Sequence, residues 1–326
     1  MAVTQTALLA QIVEQAVRAN PQHGFIYLNN PKVGCSTIKR SLWLAMTGQT
    51  PADLKRPVHV VEGSPFVSRL TDPVAVRQAF IFSFVRNPFQ RIVSAYLNKV
   101  QMRTDKVWSG FATRRGWNPE TEVSFDGFVE RLSGVPPEEQ DPHWRAQHLN
   151  ILYPFVRPNL IGDLDSLDRV LPQVLARVAS GQAKVVQGRR HGTAARQVWS
   201  GFFGDKATLD RVLTLYAGDF AAFGYAPSLT ADPACQRAEV WSDHRHDGLA
   251  KVVAYWNAPG PRRFDALNAV EAADGQGALR DWILQQRLRH PRQHHSTLDD
   301  LVAGHAAQIA AGPAYLRRVV AARGQG

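Results

Sequence analysis

The stretch FIYLNNPKVGCSTIKRSLWLAM, residues 25–46, decides how the chain is built. FIYL (25–28) is a short apolar run suited to a buried strand. Ile38, Leu42, Ala45 and Met46 then recur at helical spacing, and Gly48 follows as a stop. Ser36 or Thr37 stands where a helix cap belongs. The segment therefore reads strand, loop, helix. Its loop, NNPKVGCSTIKR (29–40), has the composition of an anion cradle but lacks the G-x-x-x-x-G-K-[ST] spacing of a nucleotide triphosphatase.

The same grammar recurs twice. AFIFSFV (79–85) reads as a second buried strand, and RNP leads into FQRIVSAYLNKV. Pro88 suits the first helical turn, and Phe89, Ile92, Val93, Tyr96, Leu97 and Val100 form one apolar stripe. NLIG (159–162) is a third strand, followed by a helix that starts at Ser166 or at Pro172. Strands alternating with helices predict an α/β fold: a P-loop-like parallel sheet flanked by helices. Ligands of such sheets gather at the carboxyl ends of the strands, where the first two loops lie.

Outward from this frame, residues 5–19 form an amphipathic pattern read as an N-terminal helix. Residues 101–145 are polar, aromatic and turn-rich, the expected character of a surface insertion lining a cleft. KATLDRVLTLYAGDFAAFGY (206–225) reads as a helix with a tight aromatic end. Composition shifts after Pro227, so the chain divides into a main domain, 1–227, and a mostly helical extension of unknown role, 228–326.

Among 326 residues, 38 Lys and Arg stand against 28 Asp and Glu, a net charge of +10 that favours an anionic partner. Two cysteines, Cys35 and Cys235, imply no disulfide framework and a reducing compartment. No apolar stretch reaches about 18 residues, and the N-terminus lacks the basic start of a signal peptide. The expectation is a cytoplasmic protein without a membrane span.

The first loop joins several anion-binding elements. A helix N-terminus offers unpaired N–H groups and partial positive charge. Gly34 permits close backbone approach, Lys32 adds a cation, and Ser36 and Thr37 add hydroxyls. Lys32, Val33, Gly34, Cys35, Ser36 and Thr37 are thus the first candidate binding set; the alternative is a plain strand-to-helix turn. The second loop places Arg86 at a strand end, fit to grip a phosphate bidentately, with Ser94 two helical turns on. Two anion sites on adjacent strand–helix units point to a ligand with separated phosphate groups.

PKVGCSTIKR followed by FVRNPFQRIVSAY resembles the paired cofactor motifs of the sulfotransferases that use PAPS (3′-phosphoadenosine 5′-phosphosulfate). The nearest likeness is to carbohydrate sulfotransferases that modify chondroitin, dermatan and the HNK-1 epitope. VHV (58–60), DPHWRAQ (141–147), NLIGDLDSLDRVL (159–171) and LYAGDFAAFGY (215–225) match further family segments in order, so the likeness covers about residues 25–227. It implies that the first loop holds the 5′-phosphosulfate and the second the 3′-phosphate. His59 resembles the family's "HV" histidine and is implied as the base. Arg189, with Arg190 and Thr193, falls where the family closes a basic loop over the cofactor. The implied activity is sulfonate transfer from PAPS to a hydroxylated acceptor, a glycan by family, with no metal and no nucleic acid. The chain is expected to lack the family's N-terminal anchor, and it has no cysteine pair after the HW segment. Asp163 and Leu164 stand where Lys and an aromatic residue are common.

Lys32 is the candidate leaving-group stabiliser. His143 is the rival base, or orients the acceptor with Trp144 and Gln147; Trp144 reads equally as core. Arg40, Arg91 and Arg145 are read either as grips for an acidic substrate or as a solvated face. Cys35 and Arg40 are one residue too close for a C-x₅-R phosphatase. A nucleotide kinase, or a basic module binding acidic polymer without catalysis, is the alternative reading. His290, His294 and His295 lack companions at metal-ligand spacing. The sequence specifies neither the acceptor nor the oligomeric state.

Overall fold

The computed structural model describes residues 15–49, 64–68, 70–102, 106–153, 156–179, 184–186, 195–230, 241–247, 249–250 and 253. A four-stranded sheet runs in the order β1 (Val17–Asn20), β2 (Phe25–Leu28), β3 (Phe80–Val85), β4 (Leu160–Asp163). β2, β3 and β4 are parallel, as expected, but β1 pairs antiparallel with β2, so the sheet is mixed. This corrects the end of the expected helix over 5–19: Val17–Asn20 are strand, and residues 5–14 lie outside the described residues. Backbone pairing overrides the amphipathic pattern here. β1 pairs with β2 along one edge and exchanges two hydrogen bonds with Val67 on the other, both 2.9 Å.

Side chains alternate across β3 with the strand period of two. Phe80, Phe82 and Phe84 join Phe25, Tyr27 and Leu160 on one face, covered by α1 (Cys35–Thr47) and α7 (Leu167–Val178). Ile81 and Val85 join Ile26 and Leu28 on the other. That face packs on α3 (Pro88–Ala95), α4 (Val107–Arg114), α5 (Phe125–Ser133), α9 (Lys206–Leu215) and α10 (Ala217–Phe223). Three shorter helices are α2 (Pro73–Gln78), before β3, α6 (Gln147–Asn150), before β4, and α8 (Ala195–Val198), before α9.

Three local readings change in the structure. α1 begins at Cys35 on Gly34 in the left-handed conformation, with no side-chain cap from Ser36 or Thr37. α7 begins at Leu167 after a 3₁₀ turn over Leu164–Ser166, and Pro172 sits inside it. The described part of residues 101–145 is not a surface insertion throughout: residues 113–122 are exposed or half-buried, but the aromatic residues on either side turn inward. Trp108, Phe111, Phe128 and Trp144 are fully buried and meet edge to face, Phe111 and Trp144 at 5.0 Å between ring centroids. Such tilted aromatic pairs add stability beyond the area they bury, which is why a polar-looking segment folds inward.

Of residues 228–326, the described part beyond Thr230 docks at the end of the sheet opposite the loops. Trp241 stacks on Phe80 at 5.6 Å. Asn159 gathers the segment: its amide donates to the carbonyls of Ser242 and His244, and its oxygen accepts from Ile81 N and His246 Nε2.

Candidate active site

The parallel pairing of β2 and β3 brings the loops that follow them side by side. In the first, Lys32 and Gly34 both have positive φ, 71° and 78°. Gly34 is required for a second reason. A Cβ there would stand 3.0 Å from Leu167 Cδ2 and 3.2 Å from Leu164 Cδ1. The glycine lets the loop pack against the β4–α7 turn, so close packing, beside any approach of a ligand, accounts for it. The first-turn N–H groups of α1 lack intrahelical partners by helix geometry and receive no side-chain cap.

The second loop is held by a clamp. Gln147, fully buried, accepts from Arg86 N at 2.9 Å and donates to Arg86 O at 2.7 Å, mimicking a strand partner. The same side-chain oxygen accepts from Asn30 Nδ2 at 3.0 Å, and Asn30 also donates to Phe84 O at 3.1 Å. Asn150 donates to Asn30 Oδ1 at 3.2 Å. One amide cluster therefore registers the two loops against each other. Asp219 anchors that cluster from α10, accepting from Gln147 N at 2.8 Å and from His148 N at 2.9 Å. The His148 ring completes the set, Nδ1 lying 2.8 Å from Asp219 Oδ1.

Arg91 is buried and spends its guanidinium on three carbonyls: Pro31 at 3.0 Å, Arg145 at 2.8 Å and Pro142 at 2.8 Å. Arg145, also buried, bonds Asn150 and Gln15. Both arginines are therefore internal fasteners and not grips for an acidic substrate. Trp144 and Gln147 likewise leave the acceptor role, being fully buried in the core and in the clamp. Cys35 is a free thiol at the start of α1.

Lys32 and Arg86, one from each loop, lie close enough for the Arg86 charge to act on Lys32. Lys32 Nζ donates to Asn98 Oδ1 at 2.9 Å. Burial first, then the charges of Lys99, Arg86 and Arg91, against an opposing effect of Cys35, together pull the Lys32 ammonium down to about 7. Arg86 Nε reaches Gln90 Oε1 at 3.4 Å, and Gln90 and Ser94 lie four residues apart on buried α3.

His143 stands within the same electrostatic neighbourhood. Its Nδ1 lies 2.6 Å from Asp141 Oδ1, and its N–H donates to the same oxygen at 3.0 Å. Burial depresses its pKa, Asp141 raises it, and Lys99 and Lys32 add to the depression, leaving the ring below the ordinary histidine range. Burial raises the Asp141 carboxyl, yet the hydrogen bonds and charge of His143 outweigh it and hold the group below the usual carboxylate value.

His59, Arg189, Arg190, Thr193, His290, His294 and His295 lie outside the described residues. Sequence reading missed Asn30, Gln90, Asn98, Lys99 and Asp141. The spacing D-P-H in 141–143 was the available signal for Asp141, since a side chain two residues upstream can reach the ring. Asn98, 66 residues from Lys32, left no such trace.

Comparison with known proteins gives this arrangement a context. A family model described as the sulfotransferase family matches residues 15–226. Carbohydrate sulfotransferase 14 of Danio rerio is 26% identical over 240 residues, covering 68% of this chain and 65% of that protein. Carbohydrate sulfotransferase 12 of Mus musculus is 25% identical over 246 residues, covering 63% and 58%. Carbohydrate sulfotransferase 11 of Danio rerio is 25% identical over 230 residues, covering 63% and 65%. The chain thus spans less than two thirds of the length of these relatives. No solved structure matches it significantly. Among the described residues no helix is long and apolar enough to cross a membrane. With the match running from the first strand to the closing FGY segment, the chain belongs to the sulfotransferase family.

Proposed function

We propose that the chain transfers the sulfonate group of PAPS to a hydroxyl of a carbohydrate acceptor. The observation that carries this reading is the amide cluster of Asn30, Gln147 and Asn150, which fixes the loops after β2 and β3 side by side. Family membership and the names of the relatives support the activity and the acceptor class. They favour neither the kinase nor the non-enzymatic reading.

The residues fit a two-ended anion. A part-buried ammonium, depressed to about 7 by burial and by neighbouring cations, marks a site short of negative charge. In this P-loop-like reading, Lys32 and the first-turn amides of α1, from Gly34 to Thr37, hold the 5′-phosphate end. Arg86 and Ser94 hold the 3′-phosphate. When bound, PAPS supplies the sulfonate. Sulfuryl transfer, like phosphoryl transfer, rests on positioning and electrostatic stabilisation, and Lys32 supplies positive charge where the leaving phosphate develops its own.

The base is His143 in this reading. Asp141 keeps a proton on Nδ1 and orients the ring, leaving Nε2 to take the acceptor's hydroxyl proton. The depressed pKa keeps the ring neutral, and so able to accept, at pH 7. His59 is the alternative drawn from the resemblance, and its variant is the control.

Labelled sulfate transfer from PAPS to a panel of glycans and other hydroxylated compounds, followed across pH, tests the proposal. kcat/KM is expected to rise through a pKa below about 6.5, as His143 becomes neutral, and to fall above about 7, as free Lys32 loses its charge. The basic limb of kcat should lie higher, because bound phosphate favours charged Lys32. Absence of transfer to every acceptor, with PAP (the desulfated product) giving no heat in calorimetry, would sink the reading.

A further inference from the structure

Three structural features meet at Lys32. The first is backbone strain. Lys32 has φ 71°, a left-handed conformation that is strained for a non-glycine residue. Such conformations persist where the surroundings over-determine them and cluster at functional sites. Here the preceding carbonyl of Pro31 is held by buried Arg91, so the loop cannot relax by swinging away.

The second is a π-helical turn. α3 runs into Tyr96–Gln101, where Met102 N donates to Leu97 O at 3.0 Å across five residues. Wide turns of this kind are rare and recur at functional sites. The core side of the turn is locked. Tyr96 is buried and its hydroxyl donates to Val123 O at 2.9 Å, while Val100 is buried beside it. The third feature is what the turn carries to the loop: Asn98, whose side-chain oxygen accepts from Lys32 Nζ, and Lys99, whose charge acts on both Lys32 and His143.

We infer that Asn98 is a positioning residue for Lys32, and that the π-helical turn serves to carry its side-chain carbonyl to the donor loop. The inference deepens the proposed function and rests on that reading for what Lys32 meets. The chemistry of the partner matters. A carboxylate at this position would hold the ammonium in a permanent ion pair and repel an arriving phosphate. A carboxamide fixes the ammonium in space without neutralising the site.

The groups acting on Lys32 come from each neighbouring element. They are Lys99 on the π-helical turn, Arg86 after β3, Arg91 on α3 and Cys35 on α1; His143, with its partner Asp141, lies close enough to feel the Lys32 charge. The cations in this set outnumber the one carboxylate, Asp141. Free Lys32 therefore loses its proton near pH 7 and regains it when an anion arrives, so donor binding above that pH takes up a proton.

The test is an NMR titration of lysine side chains in the full chain, with Lys32 assigned through Lys32→Arg, run on wild type, Asn98→Asp and Asn98→Ala. Asn98→Asp is expected to move the Lys32 titration up by about one to two units, the effect of a new opposite charge within a few ångströms. Asn98→Ala is expected to move it down, because a hydrogen bond to the charged form is lost. Calorimetry with PAP is expected to show about tenfold weaker binding to Asn98→Asp. A purely structural role would not move the titration in opposite directions in the two variants. If wild type binds PAP and neither variant moves the Lys32 titration, the Asn98 assignment is wrong and the donor site stands. If both variants move it but wild type binds no PAP, the donor reading fails while Asn98 keeps its hold on Lys32.

Discussion

His143→Ala is expected to lower the rate of sulfonate transfer by roughly 10²–10⁴-fold, the usual contribution of a positioned general base. Its PAP affinity should stay near that of the wild type, because the donor contacts come from the loops after β2 and β3. Asp141 gives the prediction its shape. The carboxylate holds His143 Nδ1 at 2.6 Å, so the ring's orientation is set before any acceptor arrives. Single-turnover transfer, read beside PAP calorimetry, separates the two quantities. Undiminished turnover in His143→Ala would move the base elsewhere, and the same assay on His59→Ala would then say whether it lies there.

Asp219→Ala is expected to destabilise the protein by about 3 kcal/mol, since hydrogen bonds to a buried charged group are worth roughly 1.5–3 kcal/mol each and two N–H groups would be left without a partner. For a domain of this size that corresponds to a fall of roughly 6–12 °C in Tm. The carboxylate is fully buried and accepts from Gln147 N, His148 N and the His148 ring. Stability is only half of the expected result. Gln147 holds both backbone groups of Arg86, so loosening it at Asp219 should also weaken PAP binding at temperatures where the variant is folded. A variant with the lower Tm but unchanged PAP affinity would show that the clamp on Arg86 is redundant.

Much of the frame was legible in residues 25–46, 79–100 and 159–178. Their strands are buried on both faces and read as unbroken apolar runs, and their helices repeat apolar residues with the helical period. Lys32 and Arg86 could be assigned to the two loops because each closely follows a strand end. What escaped depends on partners distant in the chain. Val17–Asn20 carries an amphipathic pattern compatible with a helix, and only pairing with β2 and Val67 makes it a strand. Trp108 and Trp144 sit in polar, turn-rich sequence, and their burial follows from meeting Phe111 and Phe128 in space. Arg91 and Arg145 looked like surface cations because a sequence does not display the carbonyls and amides that absorb them. The closing FGY segment acquires its reason only in the fold, where Tyr225 hydrogen-bonds Asp163 at the end of β4.

The account depends most on the two loops after β2 and β3 holding opposite ends of one nucleotide. A crystal structure of the full chain soaked with PAP measures this directly. It should place the 5′-phosphate within hydrogen-bond distance of Lys32 Nζ and the first-turn amides of α1, and the 3′-phosphate on Arg86 and Ser94. PAP bound at another surface, with both loops empty, would contradict it.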